Sequence, residues 1–134
     1  MERQEKKALL DRYPYIMSSI RYYEERLQEL DDIGAPTAKL SDMPHVSGIS
    51  NPTQELGERR AELAEHLLYN SRLKIDIERG IERLGAGVHQ RILILRFVQS
   101  CTQSEVAART HYSRSQVQRL ENEAVDLFEI EERT

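Results

Sequence analysis

Arg109 to Leu120 reads RTHYSRSQVQRL, with three arginines, two glutamines and no carboxylate in a chain whose formal net charge is -4. Ala107 to Leu120 carries +3, whereas Glu121 to Thr134 sets Glu121, Glu123, Asp126, Glu129, Glu131 and Glu132 against Arg133, a balance of -5. The pattern around the stretch predicts two short helices joined by a tight turn. Thr102 or Gln103 starts the first, which runs to Arg109; Thr110-His-Tyr112 makes the turn, with Tyr112 placed to plug it; Ser113 caps a second helix that runs to about Phe128. Ala107 is small enough for the two helices to cross over it. Val117, Leu120, Ala124 and Leu127 or Phe128 recur at helical spacing and predict the inner face of the last helix. With a buried helix in front of them, these elements make the helix-turn-helix plan.

Arg114, Ser115, Gln118 and Arg119 are left for the outer face of that last helix, with Ser113 and Gln116 at its edge. These side chains suit a duplex. Arginine pairs with guanine O6 and N7, glutamine with adenine N6 and N7, and serine with a base or a phosphate. A carboxylate would repel the phosphate backbone, and none occurs before Glu121, where the helix axis can already be leaving the groove. His111 stands where such turns usually place glycine, because the backbone there takes a positive φ.

Upstream, Val88 to Ser100 places Val88, Ile92, Leu93, Leu95, Phe97 and Val98 around most of a helix, which predicts burial on more than one side. Gly85-Ala-Gly87 separates it from a long helix capped by Thr53. In that helix Leu63, Leu67, Asn70, Lys74, Ile77, Ile81 and Leu84 follow at alternating spacings of four and three, the signature of a coiled-coil seam. Residues 34–52, rich in Gly, Pro, Ser and Thr, read as a loop. Before it, Ile16, Ile20, Tyr23, Leu27 and Leu30 form one stripe on a helix from Pro14 to 33, and residues 1–12 suit a short preceding helix. The helix at 14–33 spans roughly 30 Å and the helix at 53–84 roughly 48 Å, so the first cannot cover the second. The C-terminal unit and a second copy of the chain are expected to cover the surplus, the alternative being a monomeric hairpin folded onto its own C-terminal unit.

The expected fold is therefore all-α: a long-helix hairpin or coiled coil for oligomerisation over residues 1–84, with Leu63, Leu67, Asn70, Ile77, Ile81 and Leu84 at its seam, and a helix-turn-helix DNA-binding domain over residues 88–134. From His89 onward, HQRILILRFVQSCTQSEVAARTHYSRSQVQRLENEA resembles region 4 of bacterial sigma factors, in which a buried helix precedes a helix-turn-helix. RYYEERLQEL, SDMP, the heptad helix and this unit together are similar to small phage and prophage proteins related to the ArpU- and RinA-type regulators of late or packaging genes. The resemblance implies a promoter-binding transcriptional activator with RNA polymerase as a contact. It places DNA recognition on Ser113, Arg114, Ser115, Gln116, Gln118 and Arg119, with Gln103 and Ser104 on phosphate.

Composition narrows the alternatives. The chain has 134 residues, 39% hydrophobic and 31% charged, which suits a protein built of amphipathic helices. Its longest apolar run, Ile92 to Leu95, is too short for a membrane, so a cytoplasmic, nucleoid-associated place in a bacterial host is expected. Cys101 is the only cysteine, and His45, His66, His89 and His111 lie far apart with no second histidine at helical spacing, so no cofactor, metal site or catalytic set is expected. Glu62 and His66 read as a solvated helix pair rather than half of a metal site. Double-stranded DNA and a second copy of the chain, as a homodimer through the long helices, are the expected partners. A DNA-packaging subunit resembling small terminases, and a protein-interaction module without DNA binding, are the rival readings.

Overall fold

A computed structural model of the chain describes residues 1–34 and 52–131. Six α-helices account for most of them: α1 (Arg3–Asp11), α2 (Tyr13–Gly34), α3 (Pro52–Glu82), α4 (Val88–Leu93), α5 (Gln103–Thr110) and α6 (Arg114–Leu127). The loop expected at 34–52 lies almost entirely outside the described residues. The long helix begins at Pro52, not after a Thr53 cap, because proline is favoured in a first turn, where its missing N–H is no loss.

α2 and α3 form an antiparallel hairpin. Arg60 of α3 pairs with Asp31 of α2, Tyr23 stacks on His66 with centroids 5.1 Å apart, and the Tyr13 hydroxyl donates to Glu78 Oε2 at 2.5 Å. Burial first, and then the Glu78 carboxylate, push the Tyr13 hydroxyl from its ordinary 10.0 up to about 12. The seam expected to join two chains is occupied within one. Leu63, Ile77 and Ile81 are buried in the chain's own packing, while Leu67, Asn70 and Leu84 are half-buried. Asn70 donates to the His66 carbonyl of its own helix, and Lys74 pairs with Glu78.

The boundary at Gly85–Gly87 separates two stretches of sequence but not two cores. Leu10, Tyr13 and Ile16 from the N-terminal helices, Ile77 and Ile81 from α3, Leu93 and Phe97, and Ala124, Val125 and Phe128 form one buried cluster. Part of the length surplus of α3 is covered here: a Cβ on Gly80 would come within 2.6 Å of the Glu129 carbonyl and 2.5 Å of the Phe128 ring, so only glycine admits this crossing. Phe128 is fully buried and Leu127 exposed, which resolves the expected inner face in favour of Phe128. The end of α6 is thereby docked rather than frayed, and Arg83 of the α3–α4 connection pairs with Glu131 at 2.7 Å.

A second cluster, Ile92, Leu95, Cys101, Val106, Val117 and Leu120, with Val88 and Ala107 against it, holds α4, α5 and α6 together. One stretch supplies both clusters from two faces: Ile92 and Leu95, three apart, enter one, and Leu93 and Phe97, four apart, the other. The helix expected over Val88–Ser100 widens after Leu93 into a π-helical turn, Ile94–Val98, in which the Gln99 N–H donates to the Ile94 carbonyl at 2.8 Å.

Candidate nucleic-acid interface

The turn between α5 and α6 is fixed at both sides by side chains the sequence supplies. Thr102 caps α5 in a reciprocal box with Glu105: the Glu105 N–H donates to Thr102 Oγ1, and the Thr102 N–H donates to Glu105 Oε1, both at 3.1 Å. These bonds hold the Glu105 carboxyl below the usual carboxylate range. Ser113 does the same for α6: the Gln116 N–H donates to Ser113 Oγ at 3.2 Å, and the Ser113 N–H donates to Gln116 Oε1 at 3.0 Å. His111 takes the left-handed conformation at φ 64, as the missing glycine required. Tyr112 is more than a third exposed and does not plug the turn.

These bonds sort the candidate residues. Arg114, Ser115, Gln118 and Arg119 all face solvent on the first turns of α6, with Val117 and Leu120 beneath them. Arg114, Ser115 and Gln118 make no side-chain hydrogen bond or ion pair among the described residues, and Arg119 makes one long contact, to Glu123 at 3.7 Å. Ser113 and Gln116 are exposed but occupied by each other in the capping box. At the start of α5, Ser104 is exposed and Gln103 half-buried. Arg109 reaches Gln99 at 3.4 Å across the face of the unit.

Of the acids that follow on α6, one is buried and two are solvent-accessible but paired. Glu121 is buried at 2% exposure; Arg96, carried on the π-helical turn, donates to Glu121 Oε1 at 2.5 Å and to the Cys101 carbonyl at 2.8 Å, and Lys7 lies 3.5 Å from Glu121 Oε2. Glu123 meets His89 at 3.0 Å. Asp126 accepts two bonds from Arg3, at 2.8 and 2.6 Å, which hold its carboxyl below the usual range and raise the Arg3 guanidinium. α1 therefore lies beside α6. Arg3, Lys6 and Lys7 are positioned there by Leu10 in the shared core, and nothing in the pattern of residues 1–12 indicates a partner more than a hundred residues away.

The remaining candidates for chemistry disperse. Glu62 pairs with Arg59 and His66 stacks on Tyr23, so they do not form a site. Among the described residues no group of three or more His, Cys, Asp and Glu can hold a metal ion, and no helix is long and apolar enough to cross a membrane.

Residues 88–126, the span from α4 through most of α6, match the protein family described as Sigma-70, region 4. No curated protein and no solved structure gives a significant match to the chain. The described residues are all-helical or irregular, and the C-terminal part is a helix-turn-helix similar to sigma region 4. The match does not extend over α1, α2 or α3.

Proposed function

We propose that the chain is a sequence-specific DNA-binding transcriptional regulator that lays the first two turns of α6 in the major groove. The observation that carries this reading is the exposed basic and polar surface of Arg114, Ser115, Gln118 and Arg119, presented by a helix whose packing residues point elsewhere. Arg114 and Arg119 read guanine edges, Gln118 an adenine edge, and Ser115 a base or a phosphate. Ser104 and Gln103 approach the backbone from the start of α5. The likeness of the whole arrangement to ArpU- and RinA-type proteins supports a phage or prophage regulator of late or packaging genes, acting in the bacterial cytoplasm with RNA polymerase as its further partner.

The regulator is proposed to work as a pair of chains. Because the Leu63–Leu84 seam is occupied within one chain, pairing would use the opposite flank of α3, where Leu68 and Ile75, one heptad apart, remain 51% and 40% exposed beside Tyr69. Two units on one two-fold axis bind half-sites separated by whole helical turns of DNA.

Arg114→Ala and Arg119→Ala test the reading surface. Each variant should keep its fold and lose about 1 to 3 kcal/mol of binding to a selected site, with relaxed preference at one base pair. Unchanged binding by both folded variants would remove α6 as the reading helix. The mass of the same samples in solution separates a pair from a ring-forming packaging subunit.

A further inference from the structure

Ser115, Arg119, Asn122 and Asp126 recur at spacings of four, three and four, so they form one stripe on the solvent side of α6. By this geometry Asp126 would present a carboxylate to any duplex lying along the stripe. Arg3 of α1 prevents that by taking both of its oxygens. Lys6 donates to the Asp126 carbonyl at 2.8 Å, and Lys7 donates to Asn122 Oδ1 at 3.0 Å, so α1 is fixed in place by a row of contacts rather than by one ion pair.

Arg3 is not consumed by Asp126. A guanidinium carries five N–H donors in a rigid plane, and the carboxylate uses one on Nε and one on Nη2. The side chain is about half exposed, and it borders the same open depression as Ser115, Gln118, Arg119, Asn122 and Glu123, the last of these in contact with His89 at 3.0 Å and with Arg119 at 3.7 Å. That depression has an arginine on the recognition helix and a second arginine, oriented by a carboxylate, on the neighbouring helix. Such a fork matches the oxygens of a phosphodiester. A run of about 17 Å along α6 from Ser115 to Asp126 places Arg3 where a helix leaves the major groove and a DNA strand passes beside it.

We infer that α1 is part of the DNA interface and that Arg3, held by Asp126, binds a backbone phosphate beside the site read by α6. This inference rests on the DNA-binding function proposed above and extends the contact surface to a helix outside the sigma region 4 match.

The test measures Kd for a selected duplex and a random duplex over a range of KCl concentrations. It compares the full chain with Arg3→Gln, Arg3→Lys, Asp126→Asn and Arg119→Ala. Arg21→Gln supplies the same change of charge on an exposed part of α2, about 12 Å along the helix from Tyr13. Arg3→Gln should weaken both duplexes by the same factor, on the order of tenfold, and lower the salt slope by about 0.9. Arg3→Lys should keep most of the slope. Asp126→Asn leaves Arg3 charged but no longer oriented, so it should lose less binding than Arg3→Gln. Arg21→Gln should change nothing.

An unaltered slope in Arg3→Gln, beside impaired Arg119→Ala, overturns the role of α1 and leaves the reading helix standing. An equal loss in Arg3→Gln and Asp126→Asn reduces the pair to a structural contact, and an equal loss in Arg21→Gln reduces the effect to net charge; both contradict the inference. If Arg3→Gln does not fold, Arg3→Lys decides, since a folded variant that keeps the charge yet loses about 0.9 of the salt slope contradicts a phosphate contact at this position. No DNA binding by the unaltered chain would instead overturn the proposed function, and this inference with it.

Discussion

The two buried clusters of this chain are built by different rules. One lies inside the helix-turn-helix and draws on Ile92, Leu95, Cys101, Val106, Val117 and Leu120, all within a short span of sequence. The other joins Leu10 and Tyr13 to Ile77 and Ile81, and these to Phe97, Val125 and Phe128, so it closes contacts between the two ends of the chain. α4 and α6 serve both clusters with different faces. The surface proposed to read DNA is thus presented by a locally determined unit, but its direction relative to the long hairpin is set by the distant contacts.

A pair of truncations measures that contrast. Phe128→Ala removes a fully buried ring from the joining cluster and should cost about 3 to 5 kcal/mol in urea unfolding. Ser113→Ala removes only the reciprocal cap of α6 and should cost about 1 kcal/mol. If Phe128→Ala unfolded the hairpin while the helix-turn-helix melted as before, the two clusters would be independent and the shared core would not be one cooperative unit.

A smaller effect reports on the joining cluster through pH. The folded state raises the Tyr13 pKa, so the neutral hydroxyl contributes stability that is fully present below pH 10 and is lost as pH rises through about 12. In Tyr13→Phe the urea midpoint should fall less over that interval than in the unaltered chain. Equal falls would show that the Tyr13–Glu78 contact adds nothing to the linkage.

The helix-turn-helix was legible because its signals are local. The caps at Thr102 and Ser113, the crossing at Ala107, the positive φ at His111 and the inner face of Val117 and Leu120 all follow from residues a few positions apart. The π-helical turn was not legible: an apolar run covering most of a helix surface does not specify where the helix widens. Glu121 misleads for a related reason. As the first acid after the basic stretch it reads as the end of the DNA face, yet it is buried against Arg96 and lies on the other side of α6. The heptad of α3 was visible, but a heptad gives a face and not the identity of its partner, and that face meets α2 of the same chain. Arg3 gave no local signal at all, because its relation to Asp126 exists only once the joining cluster has formed.

The central claim, that the first turns of α6 read duplex sequence, is tested most directly by selection of the unaltered chain on randomised duplex DNA at two salt concentrations. The account predicts enrichment of a short motif, with binding that weakens steeply as salt rises. A folded chain that enriches no motif at either salt would contradict it.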